Sequence, residues 1–170
     1  MIYKLIGTLI LLLAGGYVSL AVGRFERRRL RVLDGYISLL YYIKGQIDCY
    51  AMPLPEILLH ADPAMLAACL GLDFGRPLPP LPEGLGAEPP LPAMVRESRL
   101  YLEPESERLL TTFTGELGSA LRGEQVARCE YYIQALTEER KKLSDTLPAR
   151  LRVSCVLCMC CATLAAILLW

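Results

Sequence analysis

The sequence predicts an all-α protein: an antiparallel helical bundle of about five to six helices, flanked by two transmembrane helices. Three observations carry this. Residues 5–23 and 153–170 hold no charged side chain. All eighteen acidic residues, and every basic residue except Lys4, fall between Arg24 and Arg152. Within that charged middle, apolar residues return at intervals of three and four, the period of a helix with one buried face.

These observations divide the chain into residues 1–23 as an N-terminal transmembrane helix, 24–152 as a helical bundle, and 153–170 as a C-terminal transmembrane helix. The first apolar run, LIGTLILLLAGGYVSLAVG, would span about 28 Å as a helix, close to the hydrocarbon thickness of a bilayer. Arg24, Arg27, Arg28, Arg29 and Arg31 follow directly. A secretory signal would carry a more basic start and a small-residue cleavage site, and a soluble core helix seldom runs this long. The last run, VSCVLCMCCATLAAILLW, follows Arg150 and Arg152 and ends on Trp170, a residue suited to the far interface. Both basic clusters lie on the inner flanks. By the positive-inside rule the middle is cytoplasmic and both termini face outward, in a multi-pass cell-membrane protein.

In chain order, Leu33, Tyr36, Ile37, Leu40, Ile43 and Ile47 give one apolar face, widened by Leu39, Tyr41 and Tyr42, so the first helix is predicted to continue to about Cys49. The clustered tyrosines read as a packing face rather than a ligand-stacking box. Pro53 and Pro55 mark a turn, and residues 54–60 form a short second helix. Asp62 reads as an N-cap with Pro63 at the first position of another short helix over residues 64–70. Residues 71–92 carry seven prolines and four glycines, including LPPLP and EPPLP, and read as a semi-rigid connector with polyproline II character. The same stretch suggests a different function, an adaptor that binds partners through proline-rich sequence.

Helical pattern resumes over residues 93–103. Glu105 and Glu107 then open a helix carrying Leu109, Leu110, Phe113 and Leu117, acids that suit its N-terminal dipole. The glycine-punctuated residues 115–123 form a turn, with nothing like a phosphate loop. Residues 124–147 form the last helix of the middle, with Val126, Cys129, Ile133, Leu136, Leu143 and Leu147 in a heptad seam and Arg140 as its one polar member. Glu138 to Lys142 is a charge run expected on a solvated face.

Candidate chemistry is sparse. The formal net charge is zero, which leaves no basic face for nucleic acid. Cys155, Cys158, Cys160 and Cys161 form a C-x-x-C-x-C-C cluster inside an apolar run, where cysteine packs as a small apolar residue. A zinc site or a thioredoxin-type motif would need other partners. Cys49, Cys69 and Cys129 are expected to be free thiols. His60, the only histidine, has no visible nucleophile to partner. No catalytic, cofactor-binding or metal-ligating residue is expected, nor a small-molecule substrate, so an enzyme is not expected.

The blocks LLYYIKGQIDCYAMPLPE at 39–56 and FTGELG at 113–118, with Gln125 downstream, make the chain similar to the stage III sporulation protein AB family of endospore-forming bacteria. Length and the two apolar ends agree with it. That family looks like the cytoplasmic domain of the type II secretion inner-membrane platform protein F. The resemblance implies a bundle of about six helices and a place beside a secretion-type ATPase, the stage III AA protein. It also implies membership of the channel complex that links mother cell and forespore, in the mother-cell membrane around the forespore. The proline-rich 71–92 stretch departs from the family pattern, where more helix would stand. The matching residues 48–56 and 116–125 are expected to serve as turn and packing.

Overall fold

A computed structural model describes residues 2–50, 57–58, 60–72 and 90–168, with residues 2–6, 8–12, 50, 162, 166 and 168 described by backbone alone. Five helices and no strand occur among them: α1 (Ile2–Tyr50), α2 (Pro63–Cys69), α3 (Pro90–Ser98), α4 (Pro104–Glu116) and α5 (Arg122–Leu168). The described residues are therefore all-helical in class. Contacts separate it into two compact units, one of Met1–Arg27 with Leu143–Trp170 and one of Arg28–Lys142.

In the first unit, large apolar side chains face outward. Leu13, Tyr17, Val18 and Leu20 of α1 are exposed, as are Val153, Val156, Leu157, Met159, Leu164 and Ile167 of α5. The two helices touch where Gly23 lies against a Leu151 methyl, 3.7 Å from the point a Cβ would occupy. Contiguous exposed apolar surface on this scale marks a membrane or protein contact. Among the described residues one helix is long and apolar enough to cross a membrane: α5, whose apolar window has a mean hydropathy of 1.5 and no buried residue.

The second unit holds the core. Val32, Leu33, Tyr36, Leu39, Leu40, Ile43 and Ile47 of α1 meet Leu66 and Cys69 of α2, Leu91, Met94 and Val95 of α3, Leu110 and Phe113 of α4, and Cys129, Tyr132, Ile133 and Leu136 of α5. Burying each such side chain contributes about 1.5–3 kcal/mol. The segments of α1 and α5 within this unit run antiparallel. Asp34 pairs with Arg140 at 2.8 Å, and ten residues along α1 Lys44 pairs with Glu130 at 2.5 Å, ten residues back along α5.

Local signals explain the boundaries. The Asp62 carboxylate accepts from the Ala64 amide at 2.8 Å and Pro63 opens α2, so the predicted cap is present. The helix closes with Gly71 at φ +65°, its amide donating to the Ala68 carbonyl while Leu72 donates to Ala67. This paired arrangement satisfies two terminal carbonyls and needs a residue at ease in the left-handed region.

Several expectations are corrected. The sequence predicts a helix over residues 93–103, but α3 spans Pro90–Ser98, residues 99–102 turn, and extended Glu103 caps α4. Pro90 and Pro92 fit because a first helical turn has no internal use for their missing N–H. The last helix does not stop at residue 147. It continues as α5 through Pro148 to Leu168, losing one internal hydrogen bond at the proline. Tyr41 does not widen the apolar face; it is exposed, while Val32 is fully buried instead. Arg140, the seam's one polar member, is exposed and its guanidinium reaches Asp34 of α1. The predicted turn at Pro53 and Pro55, most of the predicted 54–60 helix, residues 73–89 of the connector and Trp170 lie outside the described residues.

Candidate functional site

The residues that first suggest chemistry do not converge. His60 is exposed, and its backbone carbonyl accepts from the Tyr42 hydroxyl at 3.2 Å. Cys69 and Cys129 are buried at separate places in the core, and Cys49 is exposed at the end of α1. Cys155, Cys160 and Cys161 are exposed on α5 and Cys158 is half-buried. Among the described residues no group of three or more His, Cys, Asp or Glu side chains could hold a metal ion. Replacing the four tail cysteines together by alanine is expected to leave helicity and membrane insertion of the full chain unchanged. Circular dichroism and resistance to alkaline extraction would check this.

The α4–α5 turn is a better candidate. α4 ends at Glu116, and Gly118 at φ +89° lets the chain reverse, so Leu117 and residues 119–121 connect directly to α5. Phe113 is buried and packs edge-on against Tyr132, with ring centroids 5.3 Å apart. The Tyr132 hydroxyl donates to Glu116 Oε2 at 3.1 Å. Arg128 lies 3.7 Å from the same carboxylate and bonds Glu124 at 2.6 Å, one turn back on α5. Burial, then the hydrogen bond and charge of Glu116, pushes the Tyr132 phenol above its ordinary value. Phe113, Leu117 and Tyr132 with Glu116, Gln125 and Arg128 surround a small cleft of about 10 Å³, room for about one water.

The same turn reaches α1. Arg122 donates to the backbone carbonyl of Asp48 and its guanidinium lies 3.7 Å from the Asp48 carboxylate. The start of α5, just beyond the 113–118 block, therefore reaches the 39–56 block through Arg122 and Asp48. Arg122, Arg128 and Tyr132 complete the cluster and were not singled out from sequence. Their signal would have been the placement of charges facing across a turn, which periodicity does not report. The arrangement is an acidic and basic surface around the packed Phe113–Tyr132 pair.

Deeper in the unit, the Tyr36 hydroxyl and Ser98 Oγ share a 2.7 Å hydrogen bond, and Ser98 also donates to the Val95 carbonyl. Burial pushes the Cys69 thiol from 9.0 up to about 12, and pushes the Tyr36 phenol up despite its Ser98 bond. Both groups stay neutral when folded and can ionise on unfolding. Their stabilisation is whole below about pH 9 and declines as pH rises toward 12, with a slope of about 1.4 kcal/mol per pH unit per group. Denaturant midpoints are expected to fall from about pH 9 upward, and Cys69→Ala is expected to remove the first part of that decline.

No family model matches the chain, and no curated protein or solved structure matches it.

Proposed function

We propose that this chain is a non-enzymatic membrane platform of the sporulation channel complex linking mother cell and forespore. Its middle forms a cytoplasmic antiparallel helical bundle that docks a secretion-type ATPase, and its two apolar runs, 5–23 and 153–170, cross the membrane with both termini outside. The observation that carries this reading is the antiparallel register of α1 and α5, through Asp34–Arg140 and Lys44–Glu130. An antiparallel pair returns the chain to the end at which it entered, so both flanking runs can enter one bilayer. The outward-facing leucines and valines of the first unit, with Tyr17, support lipid contact. The partner comes from the family resemblance, and the α4–α5 turn is the surface offered to it.

The test is co-purification of the full detergent-solubilised chain with the sporulation ATPase of its host. Binding that weakens with Arg122→Glu supports the platform reading. Failure of the unaltered chain to bind, together with normal sporulation of a deletion strain, would sink it.

A further inference from the structure

Two turns of the second unit each expose a leucine: Leu100 between α3 and α4, 71% exposed, and Leu121 between α4 and α5, 84% exposed. They lie at opposite ends of the α1 segment in that unit. Tyr101 meets Arg28 and Arg29, whereas Arg122 meets Asp48, twenty positions on from Arg28. At about 1.5 Å per residue, the two turns stand roughly 30 Å apart along the helix.

The α3–α4 turn holds Leu100 outward. Ser98 before it and Leu102 after it are buried, and Tyr101 is half-buried. The Tyr101 amide donates to the Ser98 carbonyl at 2.9 Å and the Leu102 amide to the Arg99 carbonyl at 3.3 Å. Arg29 Nε donates to the Tyr101 carbonyl at 3.3 Å, and its guanidinium lies 3.2 Å from Glu103. The Arg28 guanidinium sits over the Tyr101 ring, 5.6 Å from the centroid. With both flanks pinned, Leu100 cannot fold back into the core, so its apolar surface is left for an external contact.

A single exposed leucine is ordinary on a protein surface; the position of this one distinguishes it. α1 runs unbroken from Ile2 to Tyr50, and Arg28 follows the last uncharged residue, Gly23, by five positions. That is a rise of about 7.5 Å, within the headgroup zone of about 5–8 Å on each side of a bilayer. Asp48, roughly 37 Å from Gly23 along the helix, is far beyond that zone. Residues 24–31 carry five arginines against one glutamate, an excess that suits anionic headgroups.

We propose that the α3–α4 turn, led by Leu100, rests in the headgroup layer of the membrane as a further apolar contact between this chain and the bilayer, beside its two crossing runs. This rests on the membrane reading above, in which residues 5–23 cross the bilayer. The α4–α5 turn, with its equally exposed Leu121, then points to the aqueous side.

The test uses the unaltered full chain in vesicles of equal parts phosphatidylglycerol and phosphatidylcholine, with a trace of phosphatidylcholine carrying a diazirine near the acyl ester. After illumination, mass spectrometry maps the lipid adducts. Adducts are expected on residues 99–101 and on the runs 5–23 and 153–170, and none on 119–123. Adducts on the runs but not on 99–101 overturn this inference alone, as do equal adducts on both turns. Absence of adducts on the runs defeats the membrane reading with it. A second measurement compares Leu100→Trp with Leu121→Trp, each in a Trp170→Phe background. Tryptophan at 100 is expected to emit at shorter wavelength and to be quenched by a nitroxide at the lipid headgroup, and tryptophan at 121 only by aqueous acrylamide. Identical emission and quenching at the two positions overturn the proposal.

Discussion

Replacing Phe113 by alanine is expected to lower the stability of the charged unit by about 3–5 kcal/mol, the range for removing a fully buried phenylalanine. The side chain is 1% exposed, so nearly all its apolar surface is lost to a cavity. Neighbours cannot close that cavity easily. Tyr132 packs edge-on against the ring and is tied by its hydroxyl to Glu116, which fixes it at the rim. A native domain has only about 5–15 kcal/mol in total, so this one change removes a large share. Thermal or urea unfolding of the full chain in detergent, followed at 222 nm, reads the effect. Tyr132→Phe is the companion variant: it keeps the aromatic contact and loses one hydrogen bond, for an expected cost of about 1 kcal/mol. A shift below about 1 kcal/mol for Phe113→Ala would contradict the burial of this ring.

The second large effect concerns a glycine pair on one helix. Gly35 and Gly45 both lie in α1, and replacing a helical glycine by alanine ordinarily gains about 1 kcal/mol from backbone entropy. At Gly45 nothing lies within 4 Å of the added carbon, so Gly45→Ala is expected to stabilise. At Gly35 the added carbon would stand 2.8 Å from the Cys69 amide nitrogen and 2.9 Å from the Ala68 carbonyl carbon. Those atoms belong to the backbone of α2 and cannot rotate away. The two helices would have to part, which costs about 1–3 kcal/mol or more and exceeds the entropy gain. Gly35→Val should cost more still, because two further methyls meet the same wall. The opposite signs of two identical substitutions test the close crossing of α1 and α2; equal signs would argue against it.

These sites show where sequence reading succeeds and stops. The apolar face from Leu33 to Ile47, the cap at Asp62 with Pro63, and the acids opening α4 are local in origin. Each depends on residues within one or two turns, so spacing and side-chain type suffice. The Glu139–Lys142 pair at 2.6 Å is of the same kind, three positions apart on the solvated charge run. The path through Pro148 was missed because proline usually ends a helix, yet a single lost hydrogen bond can be outweighed by packing on either side.

The candidate sites lie beyond that reach. Asp34 and Arg140 are 106 positions apart, Arg122 and Asp48 are 74, and Tyr36 and Ser98 are 62. No helical period relates such residues. Gly35 looks like a weak point in α1 until α2 is seen against it, and Arg29 meets Glu103 only once the helices pack. By itself the sequence determined that the chain is helical, where several of its helices begin, and that every charged side chain except Lys4 lies between two apolar runs. Tertiary structure alone decided which glycine is irreplaceable, which charges pair across α1 and α5, and that Arg122 reaches Asp48. The physical reason is range: propensity, capping and periodicity act within a few residues, whereas a cleft or an ion pair across helices exists only once the chain has chosen its packing.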